Sequence, residues 1–320
     1  MLQLIVDWIL YNLLGLNSSS NLVQSLNFFL YDAIKILLLL FVMISAIGFI
    51  RTYIPQNKIK EWLSGKRIGI GNFMASLFGA VTPFCSCSSI PIFISFLEAE
   101  IPLGVTFSFL ITSPLINEYL VVLMLGIFGW KITLAYVIAG MLIGIVSGMI
   151  LGAMHLEKHL VKDLVSSRPK INDEVKYPYV KKRLLFGFNE AFSIVKKLWI
   201  WILVGVGIGA LIHNYIPSEF FQSVVNKGGI FAVPIATIIG VPLYGSCAAI
   251  APIAAALFQK GIPIGTALAF LMAVSALSLP EAIMLRRAMN IRLIAIFFTI
   301  TTLSIIVIGY ILNALQPILI

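Results

Sequence analysis

Three cysteines are the residues of this sequence best suited to chemistry. Cys85 and Cys87 lie two residues apart in the segment Thr82-Pro-Phe-Cys-Ser-Cys-Ser-Ser89, and Cys247 ends the segment Pro242-Leu-Tyr-Gly-Ser-Cys247. Thiolate sulfur is a soft ligand that suits Cu(I), Zn(II) or, by the same softness, trivalent arsenic. Residues two apart on a continuous helix point to different faces, so joint use of the pair requires irregular backbone. The cysteines therefore predict a site for a soft, thiol-reactive species where a helix is broken.

Prolines beside the cysteines supply such breaks, because proline removes a backbone donor and interrupts helical hydrogen bonding. Pro83 and Pro91 flank the cysteine pair, and Pro242 and Pro252 flank Cys247. Nearby polar side chains could satisfy the freed backbone or contact a polar solute; these are Ser86, Ser88, Ser246 and Tyr244. The alternative for the cysteines is a packing role, since buried helices often use cysteine as a small apolar residue.

Two carboxylates follow prolines within or near the ends of apolar stretches. Glu118 ends the segment Ser113-Pro-Leu-Ile-Asn-Glu118, and Glu281 ends the segment Leu277-Ser-Leu-Pro-Glu281. Carboxylates inside a membrane are costly and usually functional, and they can alternate between protonated and ionised forms, which suits proton coupling. The alternatives are a solvated helix end for either residue and, for Glu281, an interfacial partnership with the nearby arginines 286, 287 and 292.

The elements that carry these residues are those of a membrane protein. Hydrophobic residues make up 60% of the 320-residue chain, charged residues only 11%, and the mean hydropathy is +1.04. A typical soluble domain has about 25% charged residues. Apolar stretches of roughly 20 residues recur along the chain, and each is long enough to cross a bilayer. We predict an all-α polytopic protein of the cell membrane whose basic residues orient its loops rather than bind nucleic acid.

The chain repeats itself at an offset of 160 to 163 residues. Residues 48–55 read GFIRTYIP and residues 210–217 read ALIHNYIP, and the segments that follow Cys87 and Cys247 also align. An ordered series of matches at a nearly constant offset indicates internal duplication. Each half contains four hydrophobic stretches, at 28–50, 68–97, 102–125 and 131–153, and at 192–212, 229–258, 262–284 and 292–316.

Loop charge decides whether the second stretch of each half crosses the membrane. If it turns back as a re-entrant hairpin, one side receives 16 Lys and Arg residues and the other receives 3, whereas full crossing gives 10 against 9. Positive residues accumulate in cytoplasmic loops, so the re-entrant topology is favoured. It leaves three full crossings per half, an odd number, and the halves are then inverted repeats. In such folds the solute site lies near the midplane, where broken helices of the two halves meet.

This topology predicts the organisation of the whole chain. Its parts are an interfacial N-terminal segment (1–27), a first transmembrane repeat (28–153), a basic cytoplasmic linker (154–191) and a second transmembrane repeat (192–320). No phosphate-binding glycine-rich motif occurs, so a proton or ion gradient is the expected energy source. We expect no enzymatic activity and no cofactor. The expected partners are the lipid bilayer, a small soft solute and a coupling proton or ion, and a homo-oligomer is compatible with the sequence.

At both cysteine-bearing breaks the chain resembles the predicted permease family that includes the trivalent organoarsenical efflux permeases. The resemblance covers essentially the whole chain, and residues 82–89 are its most specific element. It implies that Cys85, Cys87 and Cys247 bind a trivalent arsenical during transport. The leading expectation is alternating-access export of a soft, thiol-reactive solute. The alternatives are a transmembrane thiol-disulfide carrier of reducing equivalents, which would need a specific disulfide-forming pair, and a purely structural subunit.

Overall fold

The protein is described here by a computed structural model. It describes residues 2–13, 15, 21–52, 69–82, 86–161, 179–215, 229–243, 253–255, 257–259, 261–286 and 288–319. Over these residues the chain is helical, with one isolated antiparallel bridge between Leu160 and Met289 and no strand. The predicted all-α class is confirmed.

The first half of the chain begins with a short docked segment and continues with five further helices. Its helices are α1 (Leu2–Asp7), followed by a π-helical turn (Trp8–Leu13), α2 (Asn21–Arg51), α3 (Ile70–Val81), α4 (Ser86–Glu98), α5 (Leu103–Leu115) and α6 (Glu118–Ala153). Helix α6 is two helical pieces joined at Gly129, whose backbone has φ 79° and ψ 174°. Only glycine adopts such a conformation readily, and this residue sets the kink.

The second half starts after a 3₁₀ turn at Glu157–His159. Its helices are α7 (Val180–Tyr215), a 3₁₀ turn (Gly229–Phe231) that leads into α8 (Ala232–Gly240), α9 (Ile264–Ala276), α10 (Leu279–Leu285) and α11 (Ile291–Leu319). Within the described residues, two helices are long and apolar enough to cross a membrane, at Leu120–Ala153 and Ile291–Leu319.

Helix α2 begins at Asn21, earlier than the predicted stretch that starts at residue 28. The side chain of Asn27 joins this first part of α2 to the N-terminal segment. Its amide oxygen accepts a hydrogen bond from Gln3 (2.9 Å), and its amide nitrogen donates to Asp7 (2.7 Å) and Tyr11 (3.3 Å). The N-terminal segment is thereby docked on the first turns of α2.

The third apolar stretch of each half is not one continuous helix, which corrects the prediction of single spans at 102–125 and 262–284. Helix α5 ends at Leu115 and α6 begins at Glu118, and in the second half α9 ends at Ala276 and α10 begins at Leu279. At 1.5 Å per residue, the 13 residues of α5 cover about 20 Å, less than a hydrocarbon core of about 30 Å.

In the first half, the two pieces of the broken third stretch, α5 and the first piece of α6, nevertheless run in the same direction along the second piece of α6. Helix α5 runs antiparallel to the second piece of α6, with Gly104 against Gly148 near one end and the Leu115 carbonyl accepting a hydrogen bond from the Tyr136 hydroxyl (2.8 Å) near the other. The first piece of α6 then covers the remaining length up to the kink at Gly129. The first piece of α6 therefore extends the path of α5, and the second piece of α6 returns alongside both.

Backbone contacts recur at a spacing of 161 residues. The amide of Ile101 donates to the Phe96 carbonyl (3.0 Å), and the amide of Ile262 donates to the Leu257 carbonyl (3.2 Å). The residue before each isoleucine, Glu100 or Gly261, has a left-handed backbone with φ 57° or 88°. Both are Schellman turns, in which a left-handed residue ends a helix. The same hydrogen-bonded turn thus precedes α5 and α9.

Small residues at equivalent positions let α5 and α9 approach their neighbours closely. A Cβ on Gly104 would lie 2.7 Å from the Gly148 carbonyl oxygen and 2.8 Å from Gly152 Cα. A Cβ on Gly265 would likewise collide with the carbonyl of Gly309, which is 161 residues after Gly148. Close approach through small residues is a usual way to pack helices in membranes.

Gly104 gives a direct test of this packing. We expect Gly104→Ala to destabilise the protein by about 1–3 kcal/mol, because the new methyl group meets backbone atoms that cannot rotate away. The melting temperature in detergent should fall by roughly 5 °C. Gly126→Ala is the matched control, since a Cβ there meets nothing within 4 Å. Equal melting temperatures for the two variants would contradict the close α5–α6 contact.

Equivalent helices of the two halves pack against each other. Helix α2 packs on α7, α5 packs on α9, and α6 packs on α11. The rings of Phe107 on α5 and Phe297 on α11 stack with centroids 5.4 Å apart, and the hydroxyls of Ser147 and Ser304 are 2.9 Å apart. Helices α5 and α9 are buried over nearly their whole length and form the centre of the molecule.

Candidate functional site

The first cysteine-bearing segment lies between α3 and α4. Helix α3 ends at Val81, and the Thr82 hydroxyl donates to the Phe78 carbonyl (2.6 Å) at its last turn. Helix α4 resumes at Ser86, so Ser86, Cys87 and Ser88 form its first turn. Pro83 and Cys85 lie outside the described residues.

Pro91 does not break the helix, which corrects its assignment as a helix-breaking residue. It lies inside α4, five residues after the helix begins, and is buried. Pro91 has no amide to donate to the carbonyl of Cys87, which lies in the first turn, so only that one hydrogen bond near the helix end is lost. Helix α4 is therefore continuous from Ser86 to Glu98.

The second cysteine-bearing segment follows α8. The amide of Val241 donates to the Thr237 carbonyl (3.1 Å), and the amide of Leu243 donates to the Gly240 carbonyl (3.0 Å). Pro242 lies in this turn, directly after the end of the helix. Tyr244, Ser246, Cys247 and Pro252 lie outside the described residues, so the convergence of the three thiols stays a prediction.

A buried polar strip lies beside the end of α3. A Cβ on Gly79 would lie 3.2 Å from the amide nitrogen of Ser113 and 3.4 Å from Thr112 Cβ, so α3 and α5 touch here. The hydroxyls of Ser76 and Thr112 are fully buried and make no hydrogen bond within the described part of the chain. The counterpart of Thr112 in the second half is Ala273, and a Cβ on Gly240 would lie 2.9 Å from its Cβ. The same close helix contact thus has a hydroxyl in the first half and a methyl group in the second.

Sequence reasoning missed Ser76 and Thr112 as candidate polar residues. The signal was present, because hydroxyl residues within a fully buried apolar helix need a reason to be there. Thr112 lies in α5, all of which is buried, and its hydroxyl lies against Gly144 of α6. What the sequence could not give was the packing of α5 against both α3 and α6.

Glu281 is fully buried, although it lies near three arginines in the sequence. It occupies the first turn of α10, where its backbone amide donates to the hydroxyl of Ser278, the N-cap residue, at 3.3 Å. Arg286 and Arg292 are exposed. Burial in the protein favours the intramembrane interpretation of Glu281 over an interfacial ion pair with those two arginines. Glu118 is the first residue of α6, at the equivalent break of the first half.

A cavity of about 330 Å³ lies between the two halves near the kink at Gly129. It is lined by Ile127, Phe128, Ile132, Ala255, Phe258, Gln259 and Leu319. The rings of Phe128 and Phe258 face each other across it with centroids 6.0 Å apart. Residues 255–259 belong to the helical segment that follows Cys247 along the chain. The cavity therefore adjoins the second cysteine-bearing element.

At the equivalent position of the second half, the segment that follows α6 covers the surface. The turn between α10 and α11 is the counterpart of the Gly129 kink, and the segment after α6 lies on it. The amide of Asn290 donates to the His159 carbonyl (2.9 Å), and the amide of Val161 donates to the Ala288 carbonyl (3.1 Å). One end of the interface between the halves is thus closed by the start of the linker, while the other end has a cavity.

Within the described residues, no group of three or more histidine, cysteine, aspartate or glutamate side chains is placed to hold a metal ion. Cys85 and Cys247 lie outside those residues. The described residues therefore provide buried hydroxyls and one buried carboxyl group around the breaks. The predicted soft ligands belong to the cysteine-bearing segments.

Comparisons with known proteins give a consistent result. A family described as predicted permease matches residues 21–314. A UPF0718 protein of Methanocaldococcus jannaschii is 23% identical over 83% of this chain and 90% of its own length. A Streptococcus mutans protein, provisionally named a two-component membrane permease complex subunit, is 24% identical over 64% of this chain and 67% of its own. No solved structure matches the chain significantly.

Proposed function

The chain belongs to the predicted permease family, which makes it a membrane transporter, and we propose that it exports a small, soft, thiol-reactive solute by alternating access. Trivalent organoarsenicals are the solute class that fits best. The proposed binding residues are Cys85, Cys87 and Cys247, with the serines and the tyrosine of the same two segments around them.

The proposal rests on the re-entrant topology, and the observation that supports this topology is which loops form hydrogen bonds with each other. Arg183, at the start of α7, donates to the Thr52 carbonyl (2.8 Å) at the end of α2, and the Asn290 amide donates to the His159 carbonyl (2.9 Å). The re-entrant topology places both members of each pair on one side of the membrane. Full crossing by the second stretch would put them on opposite sides of a hydrocarbon core of about 30 Å, where no hydrogen bond could join them.

Contacts at the other end support the same topology. Ile127 and Gln259 line one cavity, and the Tyr310 hydroxyl donates to the Ile230 carbonyl (2.7 Å). Ile127 and Gln259 belong to loops that the re-entrant topology assigns to the other side, and Ile230 and Tyr310 lie near the ends of stretches that reach that side. We propose repeats at 28–153 and 192–320 with opposite orientation in the cell membrane, joined by a cytoplasmic linker at 154–191. The two cysteine-bearing breaks then enter from opposite faces and meet near the midplane.

The proposed chemistry at the breaks is ligand exchange without any redox change. A trivalent organoarsenical carries two hydroxyl groups on arsenic, and two cysteine thiols replace them with release of two water molecules. The arsenic keeps its oxidation state, and each thiol proton leaves in a water molecule.

Alternating access requires two states that differ in which end of the solute path is open. The 330 Å³ cavity at one end and the linker contact at the other support the proposal that the described state opens away from the linker. Glu281 and Glu118, at the paired breaks after α9 and α5, are the proposed proton carriers. A carboxyl group that binds a proton in one state and releases it in the other couples the two movements.

Transport into everted membrane vesicles tests the proposed function. We expect vesicles that contain the protein to accumulate phenylarsine oxide several-fold above vesicles of the same host without it, with no ATP added. Dissipating the proton gradient should abolish the accumulation. Arsenate, a hard pentavalent oxyanion, should not accumulate, because thiolates select soft species. Equal accumulation of phenylarsine oxide with and without the protein would reject the organoarsenical as solute.

A further inference from the structure

A groove on the outside of the α2–α7 pair has no role in the proposed transport cycle. It has a volume of about 570 Å³ and is lined by Ser45, Ala46, Phe49, Lys181, Leu184, Leu185 and Phe188. From these features we infer that the groove binds an anionic phospholipid, with its acyl chain along the apolar floor and its phosphate at the lysines of α7. This site is independent of the solute that the protein carries.

The floor of the groove is formed by close packing of α2 against α7. A Cβ on Gly187 would collide with the carbonyl of Ser45, so α2 and α7 touch directly beneath the groove. The rings of Phe41 and Phe188 pack edge to face at 5.0 Å. From Lys181 to Phe188 the groove follows α7 for about 10 Å at 1.5 Å per residue. Leu184, Leu185 and Phe188 are each more than half exposed, which leaves an apolar surface for a chain.

Charge at one end of the groove selects the head group. Three basic residues in succession begin α7, Lys181, Lys182 and Arg183, and its first turn contains no acidic residue. The guanidinium of Arg183 is engaged, because it donates to the Thr52 carbonyl (2.8 Å) and lies 3.3 Å from the Thr52 hydroxyl. Lys181 and Lys182 remain exposed. A membrane surface lysine contributes about 1 kcal/mol to binding of anionic lipid.

The position of the groove in the chain agrees with this occupant. It lies just before the apolar stretch of α7 that begins at residue 192, and its Lys181 follows two residues after Tyr179, whose side chain is exposed. Aromatic residues gather at the level of lipid head groups, and basic residues next to a membrane helix bind anionic lipids. Under the proposed topology this is the cytoplasmic face.

Native mass spectrometry of the full-length protein tests the lipid site. We expect retention of phosphatidylglycerol in preference to phosphatidylcholine, and about a thirtyfold loss of phosphatidylglycerol affinity when Lys181→Gln and Lys182→Gln are combined. Ala46→Trp, at an exposed position that lines the groove, should cause a similar loss without any change of charge. Lys158→Gln is the control, since Lys158 is exposed on the linker turn and does not line the groove.

Three results would overturn the inference. One is equal retention of the two lipids by the wild type. Another is a loss in Lys158→Gln as large as in the double lysine variant, which would mean that total charge alone attracts the lipid. The third is displacement of the lipid by soluble glycerol phosphate, which would mean that the apolar groove adds nothing. Since none of these measurements uses a transported solute, the lipid site and the proposed transport can fail separately.

Discussion

Replacing Glu281 with glutamine is expected to lower proton-driven export at least about tenfold while the protein still folds. Glutamine has nearly the same shape, so it fits the fully buried position on the first turn of α10. It keeps the backbone hydrogen bond to Ser278 but cannot bind and release a proton. If Glu281 carries the coupling proton, the variant should therefore no longer respond to the proton gradient but should still bind the solute.

Two measurements separate this role from a structural one. Export of phenylarsine oxide by Glu281→Gln should no longer respond to the size of the proton gradient, while its melting temperature should stay close to that of the wild type. Glu157→Gln is the control, because Glu157 is an exposed carboxylate on the 3₁₀ turn after α6. Export by Glu281→Gln that still follows the proton gradient would remove Glu281 from the coupling mechanism.

Patterns with a direct physical cause were predictable from the sequence. The scarcity of charge and the long apolar stretches indicated a helical membrane protein, and the family match agrees with that class. The aligned segments that follow Cys87 and Cys247 lead to places where the structure has two matching turns, before α5 and before α9. Proline and glycine marked the ends of α3 and α8, because these residues act on the backbone itself.

The breaks after α5 and α9 were missed because hydropathy stays high through them. Ile116 and Leu277 leave the helix with ψ angles of 87° and 83°, yet both are apolar residues within apolar stretches. The signals lay in other residues, because Pro114 and Asn117 stand at the first break, and Pro280 and the N-cap residue Ser278 stand at the second. In the first half, the Tyr136 hydroxyl holds the Leu115 carbonyl, which is one of the groups that α5 leaves free at its end.

Pro91 illustrates the opposite error, in which a strong local signal has little effect. Proline disrupts a helix when its missing amide would have donated to an interior carbonyl. Near the start of α4 the loss is limited to one hydrogen bond, so the helix runs through Pro91 to Glu98. The consequence of a proline depends on its distance from the helix end, and that end was not visible in the sequence.

The cysteines carry the second large prediction, because they are the proposed soft ligands. We expect replacement of all three thiols, by Cys85→Ser, Cys87→Ser and Cys247→Ser together, to abolish binding of a trivalent arsenical. Serine keeps the size of the side chain but provides a hard oxygen in place of a soft sulfur. Because an organoarsenical forms two arsenic–sulfur bonds, each single variant keeps two of the three thiols and should bind more weakly, and affinity should fall further as more thiols are removed. A thiol-disulfide carrier would instead depend on one particular pair, and replacement of its third cysteine would leave binding unchanged.

The most direct measurement is therefore titration of the purified, reduced protein with phenylarsine oxide, with the wild type beside the single and triple serine variants. The account predicts saturable binding of one arsenical per chain, weakened by each single change, including Cys247→Ser alone, and absent from the triple variant. Loss in Cys247→Ser would mean that a thiol of the second half shares the solute with the pair of the first. Wild-type affinity in Cys247→Ser, or no binding by the wild type, would contradict a shared site between the two broken helices.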